Sequence, residues 1–194
     1  MKKQELIQFE EDIKNEFLAA KIRAPVHLSR GNEDQLIEIF KQIGKHDWVF
    51  STHRSHYHAL LHGIDKEWIK SEILEGRSIH LMNKEHRFFT SAIVGGNLPI
   101  ALGMAIALKR KKSKNHVWVF SGDMAAEMGP FYECSKYAAK NNLPITFIIE
   151  DNGLSTNTPT QEVWGKSKTG ANIIKYQYER GFPHINCGVW VTFS

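Results

Sequence analysis

The chain has 194 residues, 42% hydrophobic and 24% charged, which is enough for one buried core and excludes a disordered chain. Lys and Arg number 25 against 21 Asp and Glu, so a charge of +4 gives no reason to expect a nucleic-acid partner. Two cysteines, Cys134 and Cys187, without metal spacing exclude a disulfide framework and a structural zinc site.

Glu5–Leu18 carries Leu6, Phe9, Ile13 and Phe17 at helical spacing, and Asp34–Ile43 repeats the pattern. Asp47–Thr52 reads as a short strand, and Glu67–Leu74 as a helix ended by Gly76. Arg77–Thr90 is polar and irregular and reads as a long loop. Leu98–Leu108 is apolar on nearly every face, the mark of a buried helix, and the basic run Lys109–Lys112 suits its carboxyl end. The apolar stretch Ile93–Leu108 is too short and too interrupted to span a membrane. The opening residues lack the apolar run of a signal peptide, so the expected location is the cytoplasm, away from membranes.

His116–Phe120 and Pro144–Ile149 read as buried strands around a helix that opens near Pro130 and runs to about Asn141. Strand, helix, strand at this spacing predicts parallel strands in an α/β fold. Beyond Gly165 the pattern weakens. Tyr176–Ser194 reads as a helix end, a Gly-Phe-Pro turn and a terminal strand. The expected organisation is one domain over 1–194, with a helical arm over 1–24 and a divergent tail over 166–194.

Ligands in open α/β sheets bind beyond the carboxyl ends of the strands. Asp123 follows one predicted strand and Asn152 the other. On neighbouring strands the two converge, and a carboxylate, an amide oxygen and a backbone carbonyl form an all-oxygen set suited to magnesium. Free N–H groups at the helix start after Asp123 suit a phosphate. Each residue alone also fits a helix cap or a turn. His53, His56, His58 and His62 cluster in sequence without a standard zinc spacing or a cysteine.

Gly122-Asp123-Met124, a gap of 26 residues and Asp151-Asn152 resemble the thiamine-diphosphate motif, whose usual form is Gly-Asp-Gly…Asn-Asn. Pro25–Glu33, Ser51–His58, Gly76–His80 and Ala92–Pro99 resemble, in order, further segments of one family. That family is the alpha subunit of two-chain 2-oxo acid dehydrogenases of the pyruvate and acetoin type. The resemblance covers about residues 5–165 and implies a three-layer α/β/α domain with a mostly parallel sheet, which binds the diphosphate end of the cofactor.

It further implies that Asp123, Asn152 and the Leu154 carbonyl hold Mg2+, and that Arg54 pairs with the diphosphate beside His53. Met124 and Ala125 would lie along the diphosphate, and Ala92 and Val94 would face the aminopyrimidine ring. His27 and His56 would serve the substrate. The partner would be a beta-like subunit, in a heterotetramer, that supplies the activating Glu. The expected reaction is decarboxylation of a 2-oxo acid by an oxidoreductase. The rival readings are a split transketolase-like or acyloin-forming carboligase acting on a ketose or ketone, and a non-catalytic partner subunit. Met124 stands where the family has Gly, Asp151 where it has Asn, and the family's later substrate loop has no counterpart except a possible substitute in His184.

Overall fold

The computed structural model describes residues 1–165 and 172–192. Part of the tail expected over 166–194 therefore lies outside the described residues. The helices are α1 (Lys3–Leu18), α2 (Glu33–Phe40), α3 (His56–Leu61), α4 (Lys66–Leu74), α5 (Asn97–Arg110), α6 (Asp123–Ala126), α7 (Gly129–Lys140) and α8 (Thr160–Trp164). The strands are β1 (Trp48–Ser51), β2 (Met82–Asn83), β3 (Phe88–Thr90), β4 (Val117–Gly122), β5 (Ile145–Asp151), β6 (Leu154–Ser155), β7 (Thr158–Pro159) and β8 (Ile173–Gln177).

Six strands form one sheet in the order β2-β3-β1-β4-β5-β8. All neighbours are parallel except the edge pair β2 and β3. Successive side chains of a strand point to opposite faces, so each central strand feeds two cores. Val49, Trp118, Phe120 and Ile148 pack under α1 to α4. Phe50, Val117, Val119, Phe147 and Ile149 pack under α5 and α7. A parallel sheet covered on both faces gives continuous apolar strands, and Val117–Ser121 is buried at every position. The fold is thus the expected three-layer α/β arrangement. The apolar face of α1 is built into the first core, where Leu6 and Ile13 are wholly buried.

Two expectations need correction. Arg77–Thr90 contains a 3-10 turn (Ser78–His80), β2 and β3, and β3 joins the main sheet. Its three residues carry too little periodicity to be read locally; parallel pairing with β1 and burial of Phe88 hold it. The terminal strand lies before the Gly-Phe-Pro turn rather than after it, and residues 178–192 form neither helix nor strand. Helix α3 is a further element that the sequence leaves hidden: five of its six residues are buried, so no polar face marks it.

The segment after β8 crosses residues 26–31. Gly181 N–H donates to Arg30 O (3.2 Å), and Asn186 and Val26 exchange two hydrogen bonds (2.7 and 3.1 Å). Gly31 makes the crossing possible. Its φ is +101°, and a Cβ there would overlap the Glu179 carbonyl oxygen. Gly31→Ala is therefore expected to destabilise the protein by about 1–3 kcal/mol, read as a lower denaturation midpoint, through backbone strain. Parental stability in this variant would show that the crossing is not held in solution.

Candidate functional site

β1 is followed by β3 on one side and by β4 on the other, so the strand order reverses between β1 and β4. Their carboxyl ends diverge into a crevice, the usual ligand position in such sheets. Asn97, the first residue of α5, fixes its width. Its buried amide donates to Ser51 O of β1 (3.2 Å) and Phe120 O of β4 (2.8 Å). A cavity of about 310 Å³ opens above.

His27, His53, Arg54, Ala92, Val94, Asp123, Met124, Ala125, Asn152 and Leu154 all line this cavity. His56 stands apart. It is fully buried, with Nδ1 at 3.2 Å from Glu10 Oε1 and Nε2 at 2.9 Å from Ser78 Oγ. It is not among the residues lining the cavity, and its hydrogen bonds tie α1 and the 3-10 turn to α3.

The oxygen donors come from the ends of β4 and β5. Asp123 begins α6 directly after β4 and is 4% exposed. Burial raises its carboxyl above the usual carboxylate range, and the Thr160 hydroxyl, which donates to it, opposes that rise. Asn152 follows β5; its Oδ1 accepts from Leu154 N (3.0 Å) and its Nδ2 donates to Tyr178 Oη (3.1 Å). Thr160 N donates to Gly153 O (2.9 Å), which makes 153 and 160 the bonded pair of the small β6–β7 hairpin. Antiparallel alternation then turns the Leu154 carbonyl away from β7. Met124 also contributes: its thioether accepts the indole N–H of Trp164 (3.1 Å).

The cavity also carries two guanidinium groups, those of Arg54 and Arg180. Arg54 Nε donates to Leu28 O (3.0 Å) and Nη2 to His184 O (3.1 Å). Arg180 Nη1 donates to Thr156 O (3.0 Å). Neither guanidinium forms an ion pair among the described residues. His27, His53 and His184 pack ring against ring beside them, with centroids 4.4–5.7 Å apart. Burial pushes His27 down to about 4 and His53 down to about 3; Arg54 adds to both shifts. Both imidazoles are therefore neutral at neutral pH. His184 is also lowered, by burial and then by Arg54 and Arg180.

Glu150, at the end of β5, forms part of the floor. Burial opposes its ionisation, but His58 and the Tyr176 hydroxyl outweigh that cost and hold its carboxyl below the ordinary value. It accepts from Tyr176 Oη (2.6 Å), Asn32 Nδ2 (3.2 Å) and His58 Nε2 (3.2 Å). His58 Nδ1 lies 2.6 Å from Ser51 Oγ at the end of β1.

Sequence reasoning misses Tyr178 and Arg180 altogether and marks His184 only as a possible substitute. No local pattern signals them, because the chain crossing at Gly31 brings them to the cavity. Asn97 has a signal: it is a polar residue at the start of an otherwise apolar helix.

The family model for the dehydrogenase E1 component matches residues 1–173. The alpha subunit of acetoin:2,6-dichlorophenolindophenol oxidoreductase from Bacillus subtilis (strain 168) is 32% identical over 165 residues, covering 80% of this chain and 50% of that protein. The chloroplastic pyruvate dehydrogenase E1 component subunit alpha-3 of Arabidopsis thaliana is 33% identical over 180 residues, 81% of this chain and 42% of its own length. A Rickettsia conorii pyruvate dehydrogenase E1 component subunit alpha is 32% identical over 165 residues, 79% of this chain and 50% of its own. The chain thus spans about half the length of these relatives. No helix among the described residues is long and apolar enough to cross a membrane. The match runs through both strand ends that carry Asp123 and Asn152 and through the turn that carries Arg54, and it places this chain in the dehydrogenase E1 component family.

Proposed function

We propose that this chain is the alpha-like subunit of a heteromeric thiamine-diphosphate-dependent enzyme that decarboxylates a 2-oxo acid. One observation carries the reading: at the sheet's reversal point, one cavity is lined by an oxygen donor set and by a guanidinium that has no carboxylate partner among the described residues. The donors fit Mg2+, which takes oxygen ligands and completes its shell from phosphate and water. Asp123 supplies the charge, and Asn152 Oδ1 and the Leu154 carbonyl supply neutral oxygens. Arg54 fits the diphosphate, because its planar fork matches phosphate oxygens and carbonyls already orient it from behind.

Thiamine diphosphate supplies, when bound, nucleophilic attack on a ketone carbonyl and stabilisation of the carbanion left by decarboxylation. The protein's residues position and polarise. Met124 and Ala125 would lie along the diphosphate with His53 beside Arg54, and Ala92 and Val94 would face the aminopyrimidine ring. His27 serves the substrate. Its Nδ1 is 2.7 Å from His184 O, so that nitrogen keeps the proton and Nε2 remains an acceptor. His56 positions the segments around it and does not touch substrate.

Among the described residues, the acidic side chains lining the cavity are Asp123 and Glu150. Asp123 is assigned to the metal, and Glu150 is held by three hydrogen bonds. The resemblance to the family implies that the carboxylate activating the aminopyrimidine comes from a beta-like partner, within a heterotetramer. Ile93 and Val94, 75% and 60% exposed at the cavity rim, form part of the surface that this partner covers.

With the partner present, cofactor binding should be saturable with magnesium and lost in EDTA, and Asp123→Ala should abolish it. Equal binding with and without magnesium would sink the metal assignment. Arg54→Ala should keep the fold and weaken cofactor affinity by one to two decades, since a charge-assisted hydrogen bond is worth roughly 1.5–3 kcal/mol. An unchanged dissociation constant would remove Arg54 from the diphosphate. The purified chain alone should turn over no 2-oxo acid, and co-expression with its partner should restore turnover. Activity in a preparation shown to contain this chain alone would overturn the shared site.

A further inference from the structure

The three imidazoles that line the cavity have a second use. His27 precedes α2, His53 follows β1, and His184 belongs to the C-terminal segment. Each offers one ring nitrogen, and the three atoms lie within 4.8 Å of one another. The geometry points to a borderline transition-metal site, for Zn2+ or Co2+, formed by His27, His53 and His184 and separate from the oxygen donors around Asp123.

Two features of the cluster support this. First, the Nδ1 of His27 faces the carbonyl oxygen of His184 at 2.7 Å, so it must donate there. That bond fixes the tautomer and leaves Nε2 as the lone pair, the backing that metal-ligating histidines usually have. Second, all three residues line the cavity, so three nitrogen ligands leave a fourth position open to it. A tetrahedral ion about 2.0–2.1 Å from each nitrogen needs those atoms roughly 3.4 Å apart, so the three rings must draw closer on binding. Imidazole selects zinc, cobalt, nickel or copper over magnesium, so the imidazole set and the oxygen set sort cations by ligand type.

Arg54 and Arg180 set a further condition. A dication beside two guanidinium groups needs an anion at its fourth position, either hydroxide or a carboxylate. Metal here would also take the Nε2 lone pair of His27. The site is therefore inhibitory toward any chemistry in which His27 serves the substrate. The metal assignment does not itself depend on the thiamine reading.

Co2+ is the probe, titrated into the full chain in magnesium-containing buffer without cofactor. The expected result is one equivalent bound with the intense visible absorption of a four-coordinate ion, displaced by Zn2+. His53→Ala and His184→Ala should each lose that absorption. His184→Ala keeps the backbone carbonyl that holds His27 and Arg54, so circular dichroism should show a folded chain. Asp123→Ala should keep the absorption, which distinguishes this site from the oxygen donors and from failure of the magnesium assignment. A weak octahedral spectrum in the parent chain, or full absorption retained in either histidine variant, would overturn the site.

Discussion

A carboxylate removed from water has to be matched by donors, and Glu150 determines how the elements around the cavity meet. It ends β5, and its donors come from the residue that precedes α2, from α3 and from β8. An unpaired buried charge is costly enough that these elements must arrive together. His58 passes the constraint to β1 through Ser51, and Asn97 ties β1 to β4. The strand ends that carry Arg54, Asp123 and Asn152 are thus held from below by buried hydrogen bonds. Those residues line the cavity from the strand ends.

The cavity carries both signs of charge. Asp123 and neutral oxygens line it together with Arg54, Arg180 and neutral imidazoles. A ligand that carries a cation and an anion together satisfies both sets, and a magnesium diphosphate has that character. The neutrality of His27 and His53 follows from the same layout. Burial and a neighbouring guanidinium both disfavour their protonated forms. These rings therefore offer lone pairs at neutral pH rather than charge.

The central fold is legible in the sequence because β4 and β5 are apolar throughout and flank a helix with a proline in its first turn. The residues just beyond those strands are legible for the same reason, since strand ends locate ligands in this class of sheet. Non-local features escape. β3 is short, and only its pairing with β1 defines it. Helix α3 carries two histidines of a sequence cluster without zinc spacing, and their role appears only in three dimensions: His56 and His58 are buried donors to Glu10 and Glu150. Tyr178, Arg180 and His184 reach the cavity only because the chain crosses closely at Gly31. That crossing requires a backbone without a side chain, and its meaning appears only when both strands of the crossing are known.

The proposed site depends on Asp123 and Asn152 holding a divalent ion against the diphosphate of the cofactor. The most direct measurement replaces magnesium by Mn2+ in the assembled enzyme and follows phosphorus relaxation of bound thiamine diphosphate. The account predicts strong paramagnetic broadening of both phosphorus signals in the parent enzyme, and its loss in Asn152→Ala at cofactor concentrations that still saturate the site. Bound cofactor with unbroadened signals, or full broadening in the Asn152 variant, would contradict it.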